Sequence, residues 1–381
     1  MELRSRSRPR PDRWLAVAAT VSLVLAACAG GGTPTSSPAG TTAVGTPNGT
    51  GGGATPGTSP GTAPGTAPGD ATAVTFITDF LLWGWHSPYF AGLAEGVFAG
   101  EGLNVTIQAG QGSVNTATQL ATGTVDFGLI DVSTALKAMS EGAEFKLIGV
   151  HLERYPGGFL FIEERNSIAD WPDFEGLTIG GSPNDAYFTA LPGLMEQNGA
   201  DPALYTLVEM EPAATTGALV ADTVDAIPGS AMTAPPRRAA AAEEDLTLGR
   251  FGFADHGFDA VGFAIATTTD HYENDKDLVQ RFVNAWASSM LWTLDNQDAA
   301  VDHFVAANPE KDPEIELESL QAGIELTPLE GSYFVFDPDR MQYTIDFVNE
   351  TYGTTFDGSD SYTNEFVDAL PDGYTEGEAG T

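Results

Sequence analysis

The sequence has one cysteine, four lysines (Lys137, Lys146, Lys276 and Lys311) and five histidines in 381 residues. With Cys28 alone, the folded body can hold no internal disulfide, no cysteine-based zinc or iron–sulfur site and no catalytic thiol. The histidines, at 86, 151, 256, 271 and 303, lack metal-ligand spacing, and neither His-Glu-x-x-His nor Gly-x-Ser-x-Gly occurs. No stretch reaches the ~18 uninterrupted apolar residues of a spanning helix. Positive charge is scarce too: 16 Lys and Arg against 53 Asp and Glu give a formal charge of −37. So acidic a chain repels phosphate backbones, which excludes nucleic acid as a partner. Its surface suits high salt, where self-repulsion is screened. The carboxylate pairs Glu163-Glu164 and Glu243-Glu244 are adjacent in sequence, as on a solvated face, and no reaction or cofactor is implied by them.

Five of the arginines (Arg4, Arg6, Arg8, Arg10 and Arg13) precede an apolar run from Trp14 to Ala27, the layout of a signal peptide over residues 1–27. Leu25-Ala26-Ala27-Cys28 resembles a bacterial lipobox, in which the cysteine is lipidated and becomes the mature N-terminus. From Ala29 to Thr72 the composition narrows to Gly, Thr, Ala, Pro and Ser, with the repeat Gly61-Thr62-Ala63-Pro64-Gly65-Thr66-Ala67-Pro68-Gly69. Such a segment buries too little surface to offset its ordering entropy, so residues 28–72 are expected to be a lipidated tether with a reach of roughly 35–40 Å. The expected location is the extracytoplasmic face of a bacterial membrane.

Patterning begins at Val74-Thr75-Phe76-Ile77-Thr78-Asp79-Phe80. Strands are expected at 103–108, 125–130, 145–151 and 159–162, with helices at 90–100, 115–123 and 133–142 between them. A second set follows: strand 177–180, helix 186–198, strand 206–210, helix 215–221 and strand 224–227. A strand at 261–267 returns the chain to the first set, and a helix over 278–294 opens the C-terminal third. The alternation argues for mostly parallel α/β sheets. The expected organisation is lobe 1 at 73–175, lobe 2 at 176–260, a return to lobe 1 with C-terminal helices at 261–370, and an acidic tail at 371–381.

Trp85-His86-Ser87-Pro88-Tyr89-Phe90, followed by Ala94-Glu95-Gly96-Val97-Phe98 and Glu101-Gly102-Leu103-Asn104-Val105, resembles the opening of substrate-binding proteins of the thiamine-precursor, sulfonate and nitrate type. Gly123-Thr124-Val125-Asp126, Asp173-Phe174-Glu175-Gly176-Leu177-Thr178-Ile179-Gly180, Val224-Asp225-Ala226 and Ser361-Tyr362-Thr363-Asn364-Glu365-Phe366 continue the resemblance in order. The 173–180 segment corresponds to the family's lobe-crossing strand. The Thr-Asn-Glu element is most characteristic of the branch that includes the fungal thiamine-pyrimidine synthases. The resemblance implies a type II periplasmic-binding-protein fold, two α/β lobes around a ligand cleft, handing a small molecule to an ABC permease. It also implies that the lysine and histidine used by the self-consuming synthases fall here at Ile130 and Thr134, and their Cys-rich stretch at Gly257 to Val261, so that chemistry is not expected.

Candidate ligand residues follow from position. Trp83, Trp85, His86 and Tyr89 cluster after the first strand, at the carboxyl edge where α/β crevices lie, and their rings suit stacking on a planar heterocycle. The rival reading places one or two of the tryptophans in the core beneath the loop. Compared with relatives this loop is about three residues shorter and lacks the Pro-Asn before the histidine. Ser113, in the turn Gly110-Gln111-Gly112-Ser113, is expected to cap a helix, with or without a ligand contact. Ser182 and Asn184 occupy the similar turn of lobe 2 and face the cleft in the family's geometry. His151 and Arg154 could supply positive charge, or Arg154 could pair with a surface acid. Asp131 is read either as a ligand acceptor or as a helix cap. Tyr187, Glu209 and Asp225 are weaker candidates. The acidic residue that pyrimidine binders carry after Val-Asp-Ala is Ala231 here, which argues against an aminopyrimidine.

The expected function is a monomeric, membrane-anchored solute receptor of an ABC importer, with no metal, no cofactor and no enzymatic activity. A ligand-sensing lipoprotein serving a signalling partner is the rival of a different class, and a sulfonate- or nitrate-type anion is the rival ligand.

Overall fold

The computed structural model describes residues 71–327, 331–371, 374 and 376–377. The signal peptide, Cys28 and nearly all of the tether lie outside these residues, as does most of the 371–381 tail. No helix among the described residues is long and apolar enough to cross a membrane.

Ten strands form two five-stranded sheets: β1 (Thr72–Ile77), β2 (Leu103–Gln108), β3 (Phe127–Asp131), β4 (Phe145–Arg154), β5 (Gly157–Ile162), β6 (Thr178–Gly181), β7 (Thr206–Glu209), β8 (Ala226–Ser230), β9 (Leu248–Gly252) and β10 (Val261–Thr268). The first sheet has the order β2-β1-β3-β10-β4 and the second β7-β6-β8-β5-β9. In the first, β1 runs parallel to β2 and β3, while β10 is antiparallel to β3 and β4. The second repeats the plan, with β6 parallel to β7 and β8, and β5 antiparallel to β8 and β9. Both sheets are therefore mixed rather than mostly parallel.

Nine of these ten strands lie within a few residues of the sequence expectation, β9 is not among the expected ones, and the partition between sheets differs. Lobe 1 was expected to run to residue 175, yet β5 lies in the second sheet, and the first passage between lobes is Tyr155–Pro156 rather than the strand at 177–180. The reason is physical: β5 is buried at every position, and a continuous apolar run shows that a strand is covered on both faces without showing which sheet it joins. The edge strand β2 is more explicit. Leu103 and Val105 point inward while Asn104 and Thr106 are exposed, the period of two of a strand covered on one face. The helix expected over 90–100 is two helices, Ser87–Ala94 and Val97–Gly100, because Gly96 between them takes φ +73°.

The lobe 1 core centres on the helix Lys276–Asp295, whose first turn is capped by Asp275 accepting the Leu278 amide at 3.1 Å. Phe282 from this helix stacks on Phe127 of β3, ring centroids 3.9 Å apart, and touches Phe76 and Phe98. Trp286, one turn further on, is wholly buried over Gly149 of β4, where a Cβ would lie 2.7 Å from the indole. The Thr-Asn-Glu segment also has a structural role. Asn364 accepts from the Phe336 amide and donates to its carbonyl, and Ser361 and Thr363 pair with Leu147 of β4. Emptying the centre of this core should be costly. Phe282→Ala is expected to lower stability by about 3–5 kcal/mol, read from a denaturant midpoint shift at constant slope.

Candidate ligand cleft between the lobes

A narrow cavity of about 30 Å³ lies between the two sheets, lined from lobe 1 by Asp79, Phe80, Trp83, Trp85, Gly112, Ser113 and Phe263. Lobe 2 supplies Asp185, Ala186, Tyr187, Pro228, Gly229, Ser230, Met232, Thr233 and Arg237. As it stands the cavity has room for little more than a water molecule, and its walls are chiefly aromatic and backbone with few charges.

The lobe 1 wall is the chain that leaves β1. Asp79 sits just past that strand and accepts from His86 Nε2 at 2.9 Å, while His86 Nδ1 accepts from the Trp83 amide at 3.1 Å. These two bonds fix the imidazole tautomer with its proton on Nε2. The turn Gly84–His86 is clamped from the C-terminal helix Pro313–Ile324: Gly84 N–H donates to the buried Glu316 carboxylate, and Trp85 N–H to Ser319 Oγ at 3.3 Å. Only glycine fits at 84, because a Cβ would lie 1.8 Å from the Glu316 carbonyl oxygen. Ser319 in turn donates to the Met232 carbonyl of lobe 2 at 2.7 Å, so one hydroxyl joins both walls. Lys311 stands 4.3 Å from the centre of the Trp83 ring, and the Arg237 guanidinium 5.8 Å from it.

The sequence candidates divide into layers. Trp83, Trp85 and Ser113 line the cavity. Trp85 is also a core residue, 3% exposed and edge-on to Phe263, as the core reading of this aromatic cluster expects. His86, Tyr89 and His151 form a buried layer behind it. Tyr89 Oη and Trp286 Nε1 both donate to His151 Nδ1, and burial pulls the His151 pKa down to about 3, so it is neutral and supplies no charge. Arg154 lies outside the lining and pairs with Asp255 at 2.9 Å on the surface.

Ser113 does not cap its helix. Gly112 holds the N-cap position of Ser113–Ala121, and Ser113 Oγ accepts instead from the Asp131 amide at 3.1 Å. Asp131 is itself the cap of the helix Val132–Ser140, accepting from Thr134 N–H at 2.7 Å, and it lies behind the cavity lining. Its other oxygen is buried without a partner, and desolvation raises its pKa to about 6. Ser182 accepts from the Asn184 amide, and the Asn184 carbonyl accepts from Val114 N–H of lobe 1 at 3.3 Å. Neither Ser182 nor Asn184 lines the cavity; Asn184 contributes its backbone to the contact that shuts it. Asp225 is occupied by the Thr178 amide, and Glu209 is exposed on β7.

The charged groups of the cavity were not singled out from the sequence. Asp185 caps the helix Ala186–Gln197, accepting from the Tyr187 and Phe188 amides, and desolvation raises its pKa to about 6. Arg237 is 4% exposed and donates from Nη1 to Thr233 Oγ1 at 2.7 Å, while its Nε is buried with no partner. Burial pulls its pKa down to about 10, which leaves it charged at neutral pH. The available signal is scarcity, since only 11 basic residues lie beyond residue 27 and two of them are adjacent in the middle of the helix Ala234–Ala242.

Two measurements test this geometry. Because the folded protein holds Asp131 above its ordinary pKa of 3.8, its ionised form opposes folding; the cost is absent in acid and complete above pH ~6. Asp131→Asn keeps a capping oxygen, so its stability relative to the parent should improve by ~2–3 kcal/mol between about pH 4 and pH 7 in denaturant titrations. At Gly112, with φ +112°, a Cβ would lie 2.1 Å from the Asn184 carbonyl oxygen across the cleft. Gly112→Ala is therefore expected to hold the lobes apart, seen as a larger radius of gyration by X-ray scattering with little loss of secondary structure.

Among known proteins, the NMT1/THI5-like family model matches residues 83–300. A search of curated proteins found no match. Solved structures share the architecture at low identity. A protein of Bordetella bronchiseptica RB50 superposes with a TM-score of 0.64 at 16% identity, covering 78% of this chain and 96% of its own. The zinc-bound ligand-binding component of an ABC-type import system from Staphylococcus aureus gives 0.60 at 14%, covering 78% and 99%. The periplasmic aliphatic sulphonate binding protein SsuA from Escherichia coli gives 0.57 at 12%, covering 74% and 93%. These likenesses establish the periplasmic-binding-protein fold. Because the family model spans more than half of the sequence, with the interlobe cavity built largely from the matched residues, the chain belongs to the NMT1/THI5-like family.

Proposed function

We propose that the protein is the extracytoplasmic solute-binding component of an ABC importer, tethered through a lipidated Cys28, and that it captures a small planar organic nutrient by closure of its lobes. The observation that carries this reading is the cavity itself: both lobes contribute walls, so a bound solute bridges them. Contacts to both lobes exist only in the shut state, and that difference in binding free energy is what biases the molecule toward the form a permease recognises. Trp83, Trp85, Phe80 and Tyr187 offer ring faces and edges to a flat molecule such as a thiamine pyrimidine precursor or a related heterocycle. A second reading, a sulfonate-type anion, is favoured by the buried Arg237 guanidinium.

Binding without turnover fits the lining, which holds no cysteine, lysine or histidine. Ile130 and Thr134, where the synthases of the resemblance carry lysine and histidine, are buried in β3 and in the helix after it.

Native mass spectrometry of the purified full chain, followed by identification of anything released on denaturation, tests the proposal. A retained small organic molecule, lost in a Trp83→Ala variant that still folds, is the expected result. A protein that is empty and shows no thermal shift with pyrimidines, other planar heterocycles, sulfonates or nitrate would overturn it.

A further inference from the structure

The charges in the cavity attract one another, Arg237 and Asp185 above all, but make no direct ion pair among the described residues. Arg237 has one hydrogen bond to protein among the described residues, to Thr233, and no ion pair; its neighbour Arg238 turns outward to Glu318. A buried guanidinium with unmet donors is costly, so the place is built for an acceptor brought by the ligand. Two carboxylates line the same space. Asp79 uses Oδ1 for His86 and Asp185 uses Oδ1 for two backbone amides, and the second oxygen of each has no protein donor among the described residues.

A simple anion on Arg237 would share a largely desolvated cavity with both carboxylates. A simple cation between the carboxylates would leave the guanidinium buried and unpaired. One kind of molecule answers all three groups. We propose that the cleft selects a dipolar planar solute, with an anionic group on Arg237 and a protonated nitrogen at Asp79 and Asp185. The field of the whole chain agrees, since a formal charge of −37 repels a simple anion at long range and acts little on a solute of zero net charge. This inference rests on the receptor reading and narrows its substrate class.

Three probes of one shape separate the possibilities: benzenesulfonate, benzylammonium and 4-(aminomethyl)benzenesulfonate, titrated into the full chain by calorimetry at neutral pH. The dipolar probe is expected to bind at least tenfold more tightly than either singly charged one. Arg237→Met should reduce the dipolar probe to the affinity of benzylammonium. Asp185→Asn, which keeps an oxygen for the Tyr187 and Phe188 amides, should reduce it to that of benzenesulfonate. If Arg237→Met does not fold, Asp185→Asn and Asp79→Asn decide the matter, each lowering the dipolar probe's advantage over benzenesulfonate. Equal or tighter binding of either singly charged probe overturns the inference, as does binding by none of the three. In every one of those cases the receptor reading is judged separately, by the solute that the native protein retains.

Discussion

The chain passes between its two sheets twice, at Tyr155–Pro156 and again between β9 and β10, and because Val261 pairs with Arg154 the two passages run side by side. Tyr155, Phe253 and Phe258 fill the space between the passages, all buried, with Tyr155 edge-on to Phe258 at 4.7 Å. Each passage delivers the antiparallel strand of a sheet, β5 or β10. Two lobes tied at such a seam have the connectivity of a hinge, and the cavity lies where they face one another.

Around that seam the C-terminal region reaches across to lobe 2 at two places. The helix Pro313–Ile324 meets it through Ser319 and Glu318, and the helix Pro338–Tyr352 packs Thr351 against Gly193. The first of these also positions the Trp83–Trp85 turn through Glu316, so the aromatic wall and the interlobe contact share one support. The same helix thus ties lobe 2 to the turn that carries Trp83 and Trp85.

The cavity wall combines two kinds of chemistry that differ in range. Flat aromatic contact is short-ranged and tolerant of identity, whereas a buried guanidinium and two carboxylates largely shielded from water impose direction and charge pattern. Selectivity in such a site comes from leaving the wrong solute with an unpaired charge, more than from added attraction for the right one.

Much of this was legible in the chain itself. Periodicity and glycine placement located every strand of the two sheets but β9, the scarcity of cysteine excluded thiol and cluster chemistry, and the position of Trp83 and Trp85 past the first strand marked the cleft. Those features are local, and local patterns are written in neighbouring residues. What only the tertiary structure decided depends on residues far apart: that β5 joins the second sheet, that Ser113 serves Asp131 rather than its own helix, and that His151 is a neutral core group. Arg237, Asp185 and Asp79 belong with these. No spacing links positions 79, 185 and 237, and they come to line one cavity only where the two lobes meet and shield them from solvent.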